Sequence, residues 1–312
     1  MTPASEGDGE RARGDAGRVA SEPEAAPFDP HGTAAEPAGE AMLREGIVSC
    51  GPPAVAAGAS HASASAADRG CLDDVAVIIP ALNEAPCLDL LLPLLTAMEP
   101  GWILVCDNGS TDGTRDVVAA HGARWVFEPR RGYGAACQAG LRALPRGAAV
   151  VAFVDADLSD DVTHLVDLVG PIRRDEADLV MAARVPALRE RGATTLAQSV
   201  ANHVFPVLIK AGWGHAYSDL GPFRAIRRSA LDAMMLRDHA FGWTIEMQVR
   251  ALELGLRVRE VPLAYRKRVA GRSKIGRSLP GAIRAAYWMT RTLGSLWLTK
   301  AHRMRRETRS SG

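Results

Sequence analysis

The sequence predicts an α/β fold: a mostly parallel central sheet with helices on both faces. Short apolar runs, several rich in Val and Ile, recur from residue 75 onward, and helix-length segments separate them. A hydrophobic share of 47% in 312 residues is enough for a core and excludes a wholly disordered chain. About 240 residues follow Asp74, which suits one domain of this class.

In order, strands are expected at 75–80, 103–106, 125–127, 150–154 and 179–182, with helices at about 84–97, 112–121, 134–143, 162–173 and 195–211. A further strand-like segment covers 258–265. Residues 1–70 are Ala, Gly, Glu, Pro and Ser without period, a leader expected to be disordered because it has too little apolar surface to offset chain entropy. The catalytic domain is placed at 71–276. Residues 277–312 are read as a basic amphipathic helix, with Pro280 in its first turn. On that helix Arg284 and Arg291 share one face, while Ala286, Met289, Leu293, Leu296 and Trp297 gather on the other. Such a helix suits an anionic membrane surface, and the same apolar stripe equally suits packing on the protein's own sheet or on a second subunit.

Charge follows the same division. The chain carries 37 Lys+Arg against 36 Asp+Glu, yet residues 266–312 hold 13 Lys+Arg against Glu307 alone. An anionic partner is implied. No nucleic-acid-binding module accompanies the basic stretch, so nucleic acid is not expected. Five cysteines without CxxC spacing indicate neither a disulfide framework nor a zinc ribbon. The first residues lack the apolar core of a secretory signal, and no apolar run is long enough to span a bilayer. A cytoplasmic protein is expected, and the basic helix leaves open a peripheral position on the inner face of the plasma membrane.

In open parallel sheets ligands sit outside the carboxyl ends of the strands. After the first strand, Pro80-Ala-Leu-Asn83-Glu84 turns the chain into a helix, with Asn83 suited to cap it and Glu84 to complement its dipole. After the second comes Asp107-Asn-Gly-Ser-Thr-Asp-Gly-Thr114. Here Asp107 can accept hydrogen bonds from a base or ribose, Gly109 permits close backbone approach, and Ser110 or Thr111 can cap the next helix. Arg130-Arg-Gly132-Tyr-Gly-Ala-Ala136 opens the third helix with amides and two arginines able to cradle a nucleotide. The fourth strand leads into Asp155-Ala-Asp157-Leu-Ser-Asp-Asp161. Asp155 and Asp157 can reach one hard cation, Mg2+ or Mn2+, whose shell diphosphate oxygens complete. Asp160 or Asp161 suits the cap of the following helix.

With these segments in order, the chain resembles the family 2 glycosyltransferases of the GT-A fold, a Rossmann-like nucleotide-binding architecture. It most resembles the branch that includes dolichol-phosphate mannose and polyprenyl-phosphate glucose synthases. The likeness runs from about Val75 to Ile275. It takes in Gly221-Pro-Phe-Arg224-Ala-Ile226, Gly242-Trp-Thr-Ile-Glu246-Met247 and Arg268-Val-Ala-Gly-Arg-Ser273-Lys274-Ile275.

The resemblance implies inverting, cation-dependent transfer of a hexose from UDP-glucose or GDP-mannose to a phosphate or hydroxyl acceptor, polyprenyl phosphate among them, in cell envelope biogenesis. It implies Pro80, Asn83, Glu84, Asp107, Gly109 and Gly132 around the nucleoside, and Asp155 at the ribose–diphosphate region. Asp157 becomes the principal metal ligand, with Asp155 beside it. Arg224, Arg268, Ser273 and Lys274 fall near donor or acceptor phosphates. Asn108 stands where many relatives have a second Asp, and Ser159 where some have a further metal-contacting side chain.

Leaving-group charge calls for the cation and for Arg or Lys, here Arg268 and Lys274 on a loop expected to close over the phosphates. A hydroxyl acceptor also calls for a general base, and Glu246 is the candidate; its alternative is a helix carboxylate paired with an arginine. A phosphate acceptor is already ionised. Two rival classes remain. A nucleotidyltransferase calls for a Gly-rich basic loop after the first strand, where Ala81-Leu-Asn-Glu84 stands. A silent scaffold has no use for Asp155 and Asp157.

Overall fold

The computed structural model describes residues 72–190, 196–265 and 279–310. The leader and the loop bearing Arg268, Ser273 and Lys274 lie outside the described residues. Strand and helix alternate first as β1 (Val75–Ala81), α1 (Ala85–Thr96), β2 (Trp102–Asp107), α2 (Thr114–Ala120), β3 (Arg124–Phe127) and α3 (Tyr133–Arg142). Then come β4 (Val150–Phe153), a 3-10 turn (Val162–His164), α4 (Leu165–Arg173), β5 (Leu179–Arg189) and α5 (Leu196–Trp213). The chain continues through β6 (Arg224–Arg227), α6 (Arg228–Met234), α7 (Trp243–Glu253), β7 (Val258–Tyr265) and α8 (Leu279–Ser310).

The seven strands lie in the order β3-β2-β1-β4-β6-β5-β7. All neighbours are parallel except β6, which runs antiparallel to β4 and to β5. The chain winds outward from β1 to β3 and then returns to place β4 on the other side of β1. That reversal opens a crevice beyond the carboxyl ends of β1 and β4, the place where such sheets bind ligands.

Residues 75–79 of β1 are fully buried, because helices cover both faces of a central parallel strand. One core, with Val77, Ile79, Leu88, Leu91, Val105 and Leu168, lies under α1 and α4. The other gathers Ile78, Phe153, Met181, Ile209, Trp243 and Met247 under α5 and α7.

α8 belongs to that second core. Its Leu293 and Leu296 are buried there, with Met289 packed against them. The middle of the apolar stripe, Met289, Leu293 and Leu296, therefore packs on the protein's own domain, as one of the two readings of the stripe expects, while Ala286 and Trp297 at its ends stay exposed. Arg284 and Arg291 remain exposed, and a different apolar set, Ile283, Tyr287, Leu298 and Met304, points outward. Two contacts seat the helix. Trp297 meets Trp213 of α5 edge to face, with ring centroids 5.8 Å apart. Thr292 hydrogen-bonds Asp238 directly over Gly242, where a Cβ would lie 2.1 Å from the threonine hydroxyl. A Gly242→Ala substitution is expected to destabilise the fold by about 1–3 kcal/mol through overpacking, measured by urea unfolding; an unchanged midpoint would contradict this seating.

Candidate active site

A cavity of about 730 Å³ occupies the crevice at the ends of β1 and β4. Of the residues singled out from the sequence, Pro80, Glu84, Asn108, Arg131, Gly132, Asp155 and Asp157 line it. Asn83, Asp107, Gly109, Arg224 and Glu246 are not part of its wall.

Asn83 ties two loops together instead of capping α1. Its backbone is left-handed (φ +51°), its N–H donates to Ser110 Oγ at 2.8 Å, and its Oδ1 accepts from Thr111 N–H at 2.7 Å. Ser110 and Thr111 are thereby engaged, and Asp112 accepts from the Thr114 N–H at the start of α2. Asp107 is fully buried; its Oδ1 accepts from Ser110 N–H at 2.8 Å and its Oδ2 pairs with Arg115 at 3.0 Å. The Arg115 guanidinium in turn lies over the Trp125 and Phe127 rings of β3.

Asn108 shapes the next loop. Its Nδ2 donates to the carbonyls of Glu128 (3.0 Å) and Arg130 (2.7 Å), and its Oδ1 accepts from Gly132 N–H at 2.8 Å. A carboxylate there could make none of the donations, which is a physical reason for asparagine at this position. Gly132 has φ +151°, and a Cβ on it would fall 2.0 Å from the His239 carbonyl oxygen. The first amides of α3, read as free for a nucleotide, are instead spent within the protein. Gly134 N–H donates to the Ala240 carbonyl and Ala135 N–H to that of His239.

At the end of β4, Asp155 accepts from the Tyr133 hydroxyl at 3.1 Å and Asp157 from Ser159 N–H at 3.0 Å. Burial, then the neighbouring Asp157 and Asp160, raise the Asp155 carboxyl to about 7. Burial also pushes Asp160 up to about 7, a rise that Arg184 limits. Asp161, not Asp160, caps the 3-10 turn by accepting from Thr163 N–H. Asp160 Oδ2 is buried and makes no hydrogen bond among the described residues. No three acidic, His or Cys side chains form a complete cation cage among them. The donor set nevertheless fits Mg2+ or Mn2+, which bind through one or two carboxylates and take further oxygens from water and phosphate.

Arg184 of β5 also lines the cavity. Its Nη2 is 2.9 Å from Asp219 Oδ1, and its guanidinium lies 4.8 Å from the Tyr265 ring centroid. Burial alone would lower that guanidinium, but Asp219 outweighs it and holds the cation firmly charged. Arg224 lies behind the wall, nearly inaccessible to solvent, and donates to the carbonyls of Leu220, Gly221 and Thr244. Glu246, also buried, accepts at Oε2 from the N–H groups of Arg237 (2.9 Å) and Asp238 (2.7 Å). It thus holds the loop whose carbonyls bind the start of α3.

Sequence reasoning missed Arg184, Tyr265 and the α8 residues Arg284 and Trp288 as cavity residues. Arg184 lies two residues past the expected end of its strand, so attention to strand ends offered a signal for it. Nothing in the spacing pointed Trp288 inward.

A family model described as Glycosyl transferase family 2 matches residues 76–235. An uncharacterised glycosyltransferase of Mycobacterium tuberculosis is 37% identical over 220 residues, covering 68% of this chain and 94% of its own length. The undecaprenyl-phosphate mannosyltransferase of Micrococcus luteus is 30% identical over 222 residues, covering 66% of this chain and 89% of its own. Glucosyl-3-phosphoglycerate synthase of Mycobacterium tuberculosis, solved with Mn2+, UDP and phosphoglyceric acid, is similar at TM-score 0.59 and 25% identity over 72% of this chain and 78% of that one. Mannosyl-3-phosphoglycerate synthase from Rubrobacter xylanophilus shares the GT-A fold, with TM-score 0.57 and 22% identity over 75% of each chain.

The Asn108 network can be tested directly. Asn108→Asp should lower stability by about 1–3 kcal/mol, because two carbonyls lose their donor to a carboxylate. The loss should shrink near about pH 4, where protonation restores one O–H donor. Urea unfolding at both pH values measures it, and equal stability of the two proteins at neutral pH would contradict the network.

Proposed function

The chain belongs to glycosyl transferase family 2, and from that premise we propose that it moves a hexose, with inversion, from a nucleotide-diphosphate sugar to a polyprenyl phosphate. The carrying observation is the position of Asp155 and Asp157, which both face the cavity at the switch point of the sheet. UDP-glucose is the proposed donor, ahead of GDP-mannose, and the family resemblance supports that order.

Asp157 and Asp155 would hold Mg2+ or Mn2+, which when bound neutralises charge on the diphosphate leaving group. Tyr133 orients Asp155, and the Ser159 amide orients Asp157. Pro80, Glu84 and the Gly132 loop, shaped by Asn108, form the wall assigned to the nucleoside. Asn83, Asp107 and Gly109 serve that wall from behind. Arg268, Ser273 and Lys274, outside the described residues, are assigned to the phosphates by the family resemblance. The acceptor oxygen attacks the anomeric carbon as its bond to the diphosphate oxygen breaks, in line, which inverts the centre. The place of Glu246 outside the cavity wall, bonded to backbone amides, supports an acceptor that needs no general base. Phosphate is such an acceptor. The names of the Micrococcus luteus and Mycobacterium tuberculosis relatives, with polyprenyl phosphate in one and phosphoglycerate in the other, support the same class.

Among the described residues no helix is long and apolar enough to cross a membrane. A peripheral position fits the outward apolar residues of α8 and a second row on α5, Val200, Val204, Val207 and Leu208. The 13 Lys+Arg of residues 266–312 add attraction to anionic headgroups.

UDP should raise the thermal midpoint only when Mg2+ or Mn2+ is present, because stabilisation by a ligand follows its affinity. Asp157→Ala should remove that dependence, and equal protection in EDTA would sink the cation role. Co-sedimentation should show the protein on anionic vesicles at low salt and released at high salt. Protein that stays in the supernatant at low salt would refute the peripheral position.

A further inference from the structure

We infer that α8 builds the acceptor end of the cavity: Arg284 holds the acceptor's phosphate beside Phe241 and Trp288, and the outward pair Ile283 and Tyr287 receives the polyprenyl chain as it leaves. This rests on the transferase reading above and names the subsite within it.

Gly281, Arg284 and Trp288 are spaced by three and four residues, so one face of α8 forms part of the cavity wall. Arg284 has no carboxylate within ion-pair distance among the described residues. Its guanidinium lies 6.0 Å from the Phe241 ring centroid. The cavity's aspartates sit at the end of β4, where a cation and the donor's diphosphate would meet them. A cavity-wall guanidinium without an anion among the described residues fits a second phosphate, which a planar fork binds through paired hydrogen bonds. Arg291, one turn on, lies over the Trp288 ring at 5.0 Å and braces it.

Ile283 and Tyr287 each precede a cavity residue by one position, which puts them on the adjoining face. Both are 60% exposed. The Tyr287 ring meets that of Trp288 edge to face at 5.6 Å, so this apolar row begins at the cavity itself. A soluble phosphate acceptor would have no use for the row, whereas a phosphate joined to an isoprenoid chain matches both halves.

The test assays full-length protein with UDP-glucose and with GDP-mannose, each against three acceptors: a long-chain polyprenyl phosphate, a short-chain one, and phosphoglycerate. Arg284→Ala should raise the KM for polyprenyl phosphate by about tenfold or more, as loss of a charged hydrogen bond does, without a matching rise in donor KM. Arg284→Lys should recover part of the loss, and circular dichroism checks that both variants fold. Ile283→Ser combined with Tyr287→Ser should shrink the preference for the long chain over the short one. If the native protein uses polyprenyl phosphate but Arg284→Ala leaves the acceptor KM alone, the subsite is overturned and the transferase reading stands. An unaltered chain-length preference in the double variant overturns the row. If the native protein uses phosphoglycerate alone, the lipid acceptor falls, and the inference with it.

Discussion

Three carboxylates, Asp155, Asp157 and Asp160, gather at the end of β4, and the burial of Asp155 and Asp160, with repulsion from neighbouring carboxylates after it, sets what the surrounding site must offset. Raised proton affinity at Asp155 and Asp160 is the cost of gathering them where water is scarce. The protein meets part of that cost with Arg184, whose own charge Asp219 secures. It meets another part with the Tyr133 hydroxyl and the Ser159 amide. On the proposed function, a divalent cation held by Asp155 and Asp157 would offset the rest, and donor and cation binding would then depend on one another.

Around that centre the polar side chains divide into two sets. One set faces the cavity. The other is engaged by backbone: Asn108, at the wall itself, by two carbonyls and an amide, and behind the wall Glu246 by two amides and Arg224 by three carbonyls. Buried groups of this kind are costly unless bonded, so these hydrogen bonds fix loop geometry with little freedom to move. Glu246 and Asn108 act on one feature from opposite sides, since Gly132 and the start of α3 lie between the loops they hold.

The alternation of strands and helices was legible because a parallel strand buried on both faces must be a continuous apolar run, and β1, β2 and β4 are such runs. β6 was not legible. It has four residues, arginine at both ends, and two antiparallel neighbours far away in sequence. The loops after β1, β2 and β4 announced themselves by residue type. Sequence could not say which members face the cavity, because an Asn or Glu that bonds backbone reads the same as one that bonds a ligand. α8 was ambiguous for a related reason. It carries two apolar faces, and only packing shows that Leu293 and Leu296 turn inward while Ile283 and Tyr287 stay outside. Trp288 belongs to a third face, the one that lines the cavity.

Calorimetric titration of UDP at a series of Mn2+ concentrations tests the central claim most directly, that the Asp155–Asp157 end binds donor and cation as a unit. Linkage requires Mn2+ to tighten UDP by the same factor by which UDP tightens Mn2+. The account predicts a strong, reciprocal coupling in the native protein and its loss in Asp155→Asn. UDP affinity that is independent of Mn2+ in the native protein would contradict it.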